Sequence, residues 1–129
     1  MLDKKHNNNT YCKVFINTDL DEASLLSIIS QLINGKINNI NTITSRYIDL
    51  DVISNDEFNE KNTSLPKSGF LFYRYFLDVE PIAGTKYENY LSSLKILING
   101  LRKRGFKVIP SCDFEDELNE GKPYTEWMK

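Results

Sequence analysis

The longest apolar and aromatic run of the chain extends from Gly69 to Pro81 and reads GFLFYRYFLDVEP. Phe, Tyr, Leu and Val favour a pleated strand, and Gly and Pro mark its ends. Because side chains alternate along a strand, the run divides into an apolar face and a mixed face. The apolar face carries Leu71, Tyr73, Tyr75, Leu77 and Val79, and the mixed face carries Phe70, Phe72, Arg74, Phe76, Asp78 and Glu80. We therefore predict a central strand that is covered by other structure on one side only.

Five further patterns flank this strand. Alternation predicts a first strand, and helical spacing of Leu and Ile predicts a helix that begins at an Asp19 capping box and ends at Gly35. A polar connection from Lys36 to Asn41 leads to a β-branched stretch that predicts a second strand, and a long polar, mobile loop follows that strand. A second helix begins at a Thr85 capping box with Glu88 and extends to Gly105, and a short strand containing Pro110 follows it. The predicted strands are 11–18, 42–53 and 106–112, in addition to the central strand. The predicted helices are 19–34 and 85–105, and the loop is 54–68.

The predicted order β-α-β-β-α-β is that of the α+β ferredoxin-like fold, a four-stranded antiparallel sheet with both helices on one face. In this two-layer sandwich the first and third strands are central, and Pro110 fits an edge strand because it has no N–H to donate. A two-layer domain of another topology is the alternative. We predict a flexible leader over residues 1–10, one domain over 11–120 and a tail over 121–129.

Composition narrows the possible functions. A net charge of −2 argues against a nucleic-acid or anionic-membrane binder. Cys12 and Cys112 have no zinc or CxxC spacing, and His6 is the sole histidine and lies in the leader. We expect no cofactor and no catalytic residue. Neither a signal peptide nor a membrane-spanning run is evident, so we expect a cytoplasmic protein.

The face without helices is predicted to expose aromatic side chains, which form an apolar patch that is large for a monomer. Three coverings are possible: the C-terminal tail with Tyr124, Trp127 and Met128, a second copy of the chain, or a protein partner. An RNA platform is disfavoured because the strand lacks the RNA-recognition signature and acids accompany the aromatics. The residues expected on this face are Phe15, Tyr47, Phe70, Phe72, Arg74 and Phe76.

Acidic residues form a second candidate site. They lie on the second and third predicted strands and after the last strand: Asp49, Asp51, Asp78, Glu80, Asp113, Glu115, Asp116 and Glu117. Asp78 and Glu80 share a strand face and can approach Asp49 or Asp51 on the neighbouring strand. One interpretation is a divalent-metal site on Asp49, Asp51 or Asp78. Another is that the acids are solvated or pair with Arg74 and with the bases of residues 102–107. A third is an acidic surface for a basic protein.

The motifs FLDVEP (Phe76 to Pro81) and CDFEDEL (Cys112 to Leu118) resemble those of a group of small uncharacterised bacterial proteins, some of them immunity-protein-like. This resemblance implies a bacterial cytosolic protein with a toxin-neutralising role. Our leading hypothesis is a non-catalytic protein-binding module, an immunity-type inhibitor of a basic, nuclease-like toxin. The alternative is a homodimeric ferredoxin-like domain that binds a small ligand at the sheet interface. The predicted partner-binding residues are the eight acids above together with Phe70, Phe72, Arg74 and Phe76.

Overall fold

A computed structural model describes residues 9–129 of the chain as an α+β structure with one six-stranded sheet and three α-helices. Most of the predicted leader, residues 1–8, lies outside the described residues. Three short 3-10 turns, Lys61–Ser64, Gly69–Phe72 and Tyr124–Met128, complete the described elements. In chain order the strands and helices are β1 Cys12–Asn17, α1 Glu22–Ile33, β2 Lys36–Asn38, β3 Thr42–Thr44, β4 Ile48–Ser54, β5 Tyr75–Pro81, α2 Tyr87–Lys103, β6 Lys107–Ser111 and α3 Glu115–Leu118.

The strands lie in the order β2-β3-β4-β5-β1-β6, and every neighbouring pair is antiparallel. The central positions predicted for β1 and β5 are confirmed, as is the edge position of the strand that contains Pro110. The predicted number of four strands is wrong. The hairpin β2–β3 adds two strands, and it begins in residues expected to be a polar connection.

A turn at Ser45 divides the predicted strand 42–53 into β3 and β4. The Ser45 N–H donates to the carbonyl oxygen of Ile48 at 2.8 Å, and the Ile48 N–H donates to Ser45 Oγ at 3.1 Å. The side chain of Ile43 in β3 is fully buried, so the hairpin contributes to the core. The β-branched residues of this stretch indicate a continuous strand and give no sign of a turn. The turn depends on the Ser45 hydroxyl, which accepts a hydrogen bond from the Ile48 N–H.

The main core lies between the sheet and the two long helices. Its buried members come from both layers: Val14, Ile16, Leu25, Leu26, Ile29, Ile43, Leu50, Val52, Tyr75, Leu77, Val79, Tyr90, Leu94, Leu97, Ile98, Leu101 and Val108. The helices approach closely where Gly100 of α2 meets α1, since a Cβ on Gly100 would lie 2.6 Å from Leu32 Cδ2. This contact explains a glycine inside a helix, where it otherwise costs about 1 kcal/mol relative to alanine.

The helix ends differ from the predicted capping boxes. Asp21, and not Asp19, caps α1 by accepting a hydrogen bond from the Ser24 N–H at 2.8 Å. That bond lowers the pKa of the Asp21 carboxyl. Asn34 ends α1 in the left-handed conformation with φ of 53°. Helix α2 begins after Lys86 without a side-chain cap, so the cap predicted at Thr85 is wrong.

The run Gly69 to Pro81 is a strand only from Tyr75 onward. Its first residues form a 3-10 turn, because the preceding loop bonds to their backbone. The Asn55 side-chain amide donates to the carbonyl oxygens of Leu71 and Tyr73 at 3.0 and 2.8 Å. The predicted apolar face holds from Tyr75 to Val79, whereas Leu71 is exposed and Tyr73 packs on the opposite side of the sheet.

Candidate protein-binding surface

The face of the sheet opposite the helices is divided into an aromatic half and an acidic half. The aromatic half lies around β1, β6 and the start of β5, and we call it the aromatic cluster. Its buried members are Phe15, Tyr73 and Ile109, and its half-buried members are Phe70, Phe76, Tyr124, Trp127 and Met128. The C-terminal tail therefore covers this patch, as the first of the three interpretations predicted.

Ring contacts and polar contacts hold the tail in place. The ring centroid of Phe70 lies 5.2 Å from that of Phe15 and 5.4 Å from that of Tyr124, both in edge-on geometry. The Tyr124 hydroxyl donates to the Lys67 carbonyl oxygen at 3.0 Å, and Trp127 Nε1 donates to the Asn119 carbonyl oxygen at 3.1 Å. The cluster is thus an internal core of its own.

Arg102 anchors the same segment from the last turn of α2. Its guanidinium donates to the Val108 carbonyl oxygen at 2.6 Å and to Asn119 Oδ1 at 2.8 Å, and it lies 3.9 Å from the centroid of the Trp127 ring. Burial lowers the pKa of Arg102 to about 10. The guanidinium of Arg102 therefore stabilises the packing of the C-terminal segment and does not pair with the predicted acidic residues.

Four carboxylates occupy the other half of this face, and we call Asp49, Asp51, Asp78 and Glu80 the acidic row. Strand register places Asp49 directly opposite Glu80 and Asp51 directly opposite Asp78. Three of the four side chains are exposed, and Asp78 is half-buried. The predicted approach of these acids across the two strands is therefore confirmed.

Hydroxyl groups on neighbouring strands orient the acidic row. Thr42 Oγ1 donates to Asp51 Oδ1 at 2.7 Å, and Thr44 Oγ1 donates to Asp49 Oδ1 at 2.9 Å. On the other side, the Tyr11 hydroxyl donates to Asp78 Oδ1. Partial burial and this bond raise the pKa of Tyr11, so the phenol keeps its proton and remains a donor. Sequence reasoning missed all three hydroxyls, although β-strand parity places each on the acidic face.

No base of the described residues forms a salt bridge with the acidic row. Within residues 9–129 the one salt bridge joins Lys129 Nζ to Glu126 Oε2 at 3.1 Å. Of the second interpretation, the pairing with Arg74 and with the bases of residues 102–107 is not found, whereas Asp49, Asp51 and Glu80 are exposed to solvent as it also allowed. The Arg74 guanidinium lies 5.3 Å from the centroid of the Phe58 ring. Lys13 is the cross-strand partner of Asp78, yet its ammonium lies 4.1 Å from the centroid of the Phe76 ring.

The second acidic group, Asp113 to Glu117, lies in and before α3 and is engaged locally. Glu115 Oε1 accepts from the Cys112 N–H at 3.2 Å, and Glu117 Oε2 accepts from the Tyr87 hydroxyl at 3.1 Å. Asp113 accepts from Asn9, and Asp116 is exposed. These acids therefore partly serve to hold the last turns of the chain, although Asp113, Asp116 and Glu117 are exposed, as three members of the acidic row are.

The remaining predicted site residues are dispersed. Phe70 and Phe76 belong to the aromatic cluster, and Phe72 is half-buried at the end of its 3-10 turn. Tyr47 packs on the helix side, so its placement on the open face is wrong. The sequence run suggested one continuous recognition strand, and its break at Tyr75 separates the aromatics from the acids.

The chemistry of the described part of the chain is limited. No group of three or more His, Cys, Asp or Glu in residues 9–129 is arranged to hold a metal ion. Cys12 is fully buried, and burial raises the pKa of its thiol, which disfavours the nucleophilic thiolate. None of the helices between residues 9 and 129 is both long and apolar enough to span a membrane.

Comparisons of the chain with protein-family models, with curated proteins and with solved structures found no match.

Proposed function

We propose that this protein is a non-catalytic binding module whose acidic row binds a basic protein. More specifically, we propose a cytoplasmic immunity-type inhibitor that covers the basic substrate cleft of a nuclease-like toxin. One observation carries the proposal: across residues 9–129, the four carboxylates of the acidic row make no ion pair with the chain's own cations. A basic partner would supply the missing charges.

The physical argument concerns association as well as affinity. Carboxylates of one sign on a rigid sheet attract an opposite patch and orient it during encounter. The hydroxyls of Tyr11, Thr42 and Thr44 already hold the acids in place, so less side-chain entropy is lost on binding. The half-buried Phe76 ring at the border of the acidic row offers an apolar contact beside the charges.

We also propose that β4, β5, β1 and β6 with α1 and α2 form a ferredoxin-like unit to which the hairpin β2–β3 is added. The strand order β4-β5-β1-β6 and the packing of both long helices against the same core support this interpretation. The alternative of a homodimer with a ligand at the sheet interface required an open aromatic patch. It loses that support because the C-terminal tail packs there.

The test is binding to the product of a neighbouring toxin-like gene, measured by calorimetry and by rescue of growth on co-expression. The four-carboxylate variant D49N/D51N/D78N/E80Q keeps acceptor oxygens for its hydroxyl partners while it removes the charge of the row. Loss of each buried charge contact costs about 1.5–3 kcal/mol, so we expect binding to weaken by at least a hundredfold and rescue to fail.

The matched control is D56N/E57Q/E60Q, which removes exposed acids from the loop before β5. We expect this control to bind like the unaltered protein apart from a small decrease in association rate at low salt. Equal binding by the four-carboxylate variant, or an equal loss in the control, would refute the role of the acidic row. Failure of the unaltered protein to bind or rescue would refute the immunity function.

A further inference from the structure

A cleft of about 600 Å³ lies between the loop that precedes β5 and the end of the C-terminal tail. None of the four carboxylates of the acidic row lines this cleft. Its size is within the range of small-molecule sites in proteins. The lining residues on which binding would depend are Leu65, Pro66, Lys67, Tyr73, Lys107 and Met128.

The charged side chains that line this cleft are all cationic, whereas the protein as a whole has a net negative charge. Lys67, Lys107 and Lys129 line it, and no Asp or Glu side chain does, although the net charge of the chain is −2. All three lysines are exposed. Lys107 Nζ donates to the Met128 carbonyl oxygen at 2.7 Å, and Lys129 pairs with Glu126. Lys67 makes no ion pair within residues 9–129.

Tyr73 is the residue that distinguishes this cleft from a merely basic surface. Its side chain is 1% exposed, and its hydroxyl is a buried polar atom with no hydrogen-bond partner among the described residues. A buried hydroxyl without a partner costs about 1–3 kcal/mol. Burial also raises the pKa of Tyr73 to about 12, so at neutral pH the group is a donor that lacks an acceptor.

We propose that the cleft binds a small organic anion whose carboxylate or phosphate group accepts a hydrogen bond from the Tyr73 hydroxyl. The ammonium groups of Lys67 and Lys107 neutralise the charge of that group. Leu65, Pro66 and Met128 contact the apolar part of the ligand. Because the hydroxyl is covered, the ligand reaches it by displacing a neighbouring side chain of the wall.

A phosphate and a carboxylate test this assignment: inorganic phosphate and benzoate. Each is titrated into the protein while sodium chloride is adjusted to keep the ionic strength constant. We expect a saturable rise in the thermal unfolding temperature and a calorimetric binding signal for at least one probe. The stronger response identifies phosphate or carboxylate as the preferred group. Absence of saturation with both probes overturns the proposal.

Substitution locates the site. The variant Tyr73→Phe removes one oxygen and keeps the ring, so we expect the probe to bind about tenfold more weakly, which corresponds to about 1.4 kcal/mol. Lys107→Ala is expected to weaken binding to a similar extent. Lys95→Ala, an exposed lysine on α2 outside the cleft, is the matched control and is expected to bind like the unaltered protein.

A measurement without probe separates binding from folding. Since the Tyr73 hydroxyl has no partner, Tyr73→Phe is expected to be at least as stable as the unaltered protein. Unchanged probe affinity in this folded variant overturns the proposal, as does an equal loss in Lys95→Ala. These readouts are independent of the toxin-binding test because they use neither the acidic row nor a protein partner.

Discussion

The acidic row should destabilise the isolated protein, and its neutralisation should therefore stabilise the fold. Register places two like-charged pairs directly opposite each other on β4 and β5, Asp49 with Glu80 and Asp51 with Asp78. Like charges in directly opposed positions destabilise a sheet. The variant D49N/D51N/D78N/E80Q removes these charges, and the Asn and Gln oxygens still accept the existing hydrogen bonds.

The magnitude follows from the spacing of paired strands. Two unit charges about 6 Å apart in water repel by about 0.7 kcal/mol, and about 0.6 kcal/mol remains at an ionic strength of about 10 mM. Two direct pairs then contribute about 1.2 kcal/mol, and diagonal pairs add to this. Lys13 offsets part of the repulsion at Asp78, although its ammonium lies over the Phe76 ring. We expect a net gain of about 1 kcal/mol in the free energy of unfolding.

Urea denaturation monitored by far-UV circular dichroism measures this gain. At about 1 M salt the Debye length falls to about 3 Å, so the difference between variant and unaltered protein should shrink to a few tenths of a kcal/mol. The loop control D56N/E57Q/E60Q lacks opposed strand positions, and we expect its stability to stay within about 0.5 kcal/mol of the unaltered protein.

A four-carboxylate variant that is less stable at low salt would refute the reasoning. A gain that does not depend on salt would refute it as well, because the stabilisation would then have a cause other than charge repulsion. Together with lost toxin binding, a salt-dependent gain would show that the same four charges promote binding and oppose folding.

Three further predictions concern other parts of the fold. Gly69→Ala should destabilise the protein by about 1–3 kcal/mol in urea denaturation, because the new Cβ would collide with the Thr63 carbonyl group; unchanged stability would contradict this packing. The pKa of Tyr73 is about 12 when folded and about 10 when unfolded, so its contribution to stability is present below about pH 10 and is lost as the pH rises toward 12. Tyr73→Phe should therefore flatten the stability profile by up to about 1.4 kcal/mol per pH unit, measured by urea denaturation across that window; an identical slope would contradict the assignment. Cys112 directly follows β6, one residue beyond the paired Lys13 and Ser111, and its thiol lies close enough to raise the pKa of the Cys12 thiol. Oxidised glutathione should therefore join the two cysteines in a disulfide and release two molecules of glutathione. Peptide mapping and loss of both free thiols would demonstrate the bond, and persistent mixed disulfides would argue against the juxtaposition.

The periodicity of apolar residues predicted β1, α1 and α2, because each of them turns one face toward the main core. Val14 and Ile16 of β1 and the apolar stripes of α1 and α2 all contact the main core, so the sequence alone indicates each element and its core-facing side. Strand parity likewise put Asp49 with Asp51, and Asp78 with Glu80, on shared strand faces, and the register of the structure places the two pairs opposite each other.

Elements that depend on distant polar contacts were not predictable in this way. The aromatic residues of Gly69–Phe72 suit a strand, yet Asn55 bonds to the backbone after them and the chain turns. The hairpin β2–β3 depends on Ser45 and on three-residue strands too short for a periodic signal. In the candidate site, side chains from other strands determine that the acids bond to hydroxyls and not to cations.

Both edges of the six-stranded sheet discourage growth of the sheet from one molecule to the next. Strand β2 is three residues long and begins with an exposed lysine, and β6 carries Pro110, which offers no N–H to an incoming strand. Short, charged or proline-bearing edges resist the strand-to-strand pairing that leads to fibrils. The proposed binding surface lies on a face of the sheet, so a partner bound there would not require pairing at either edge.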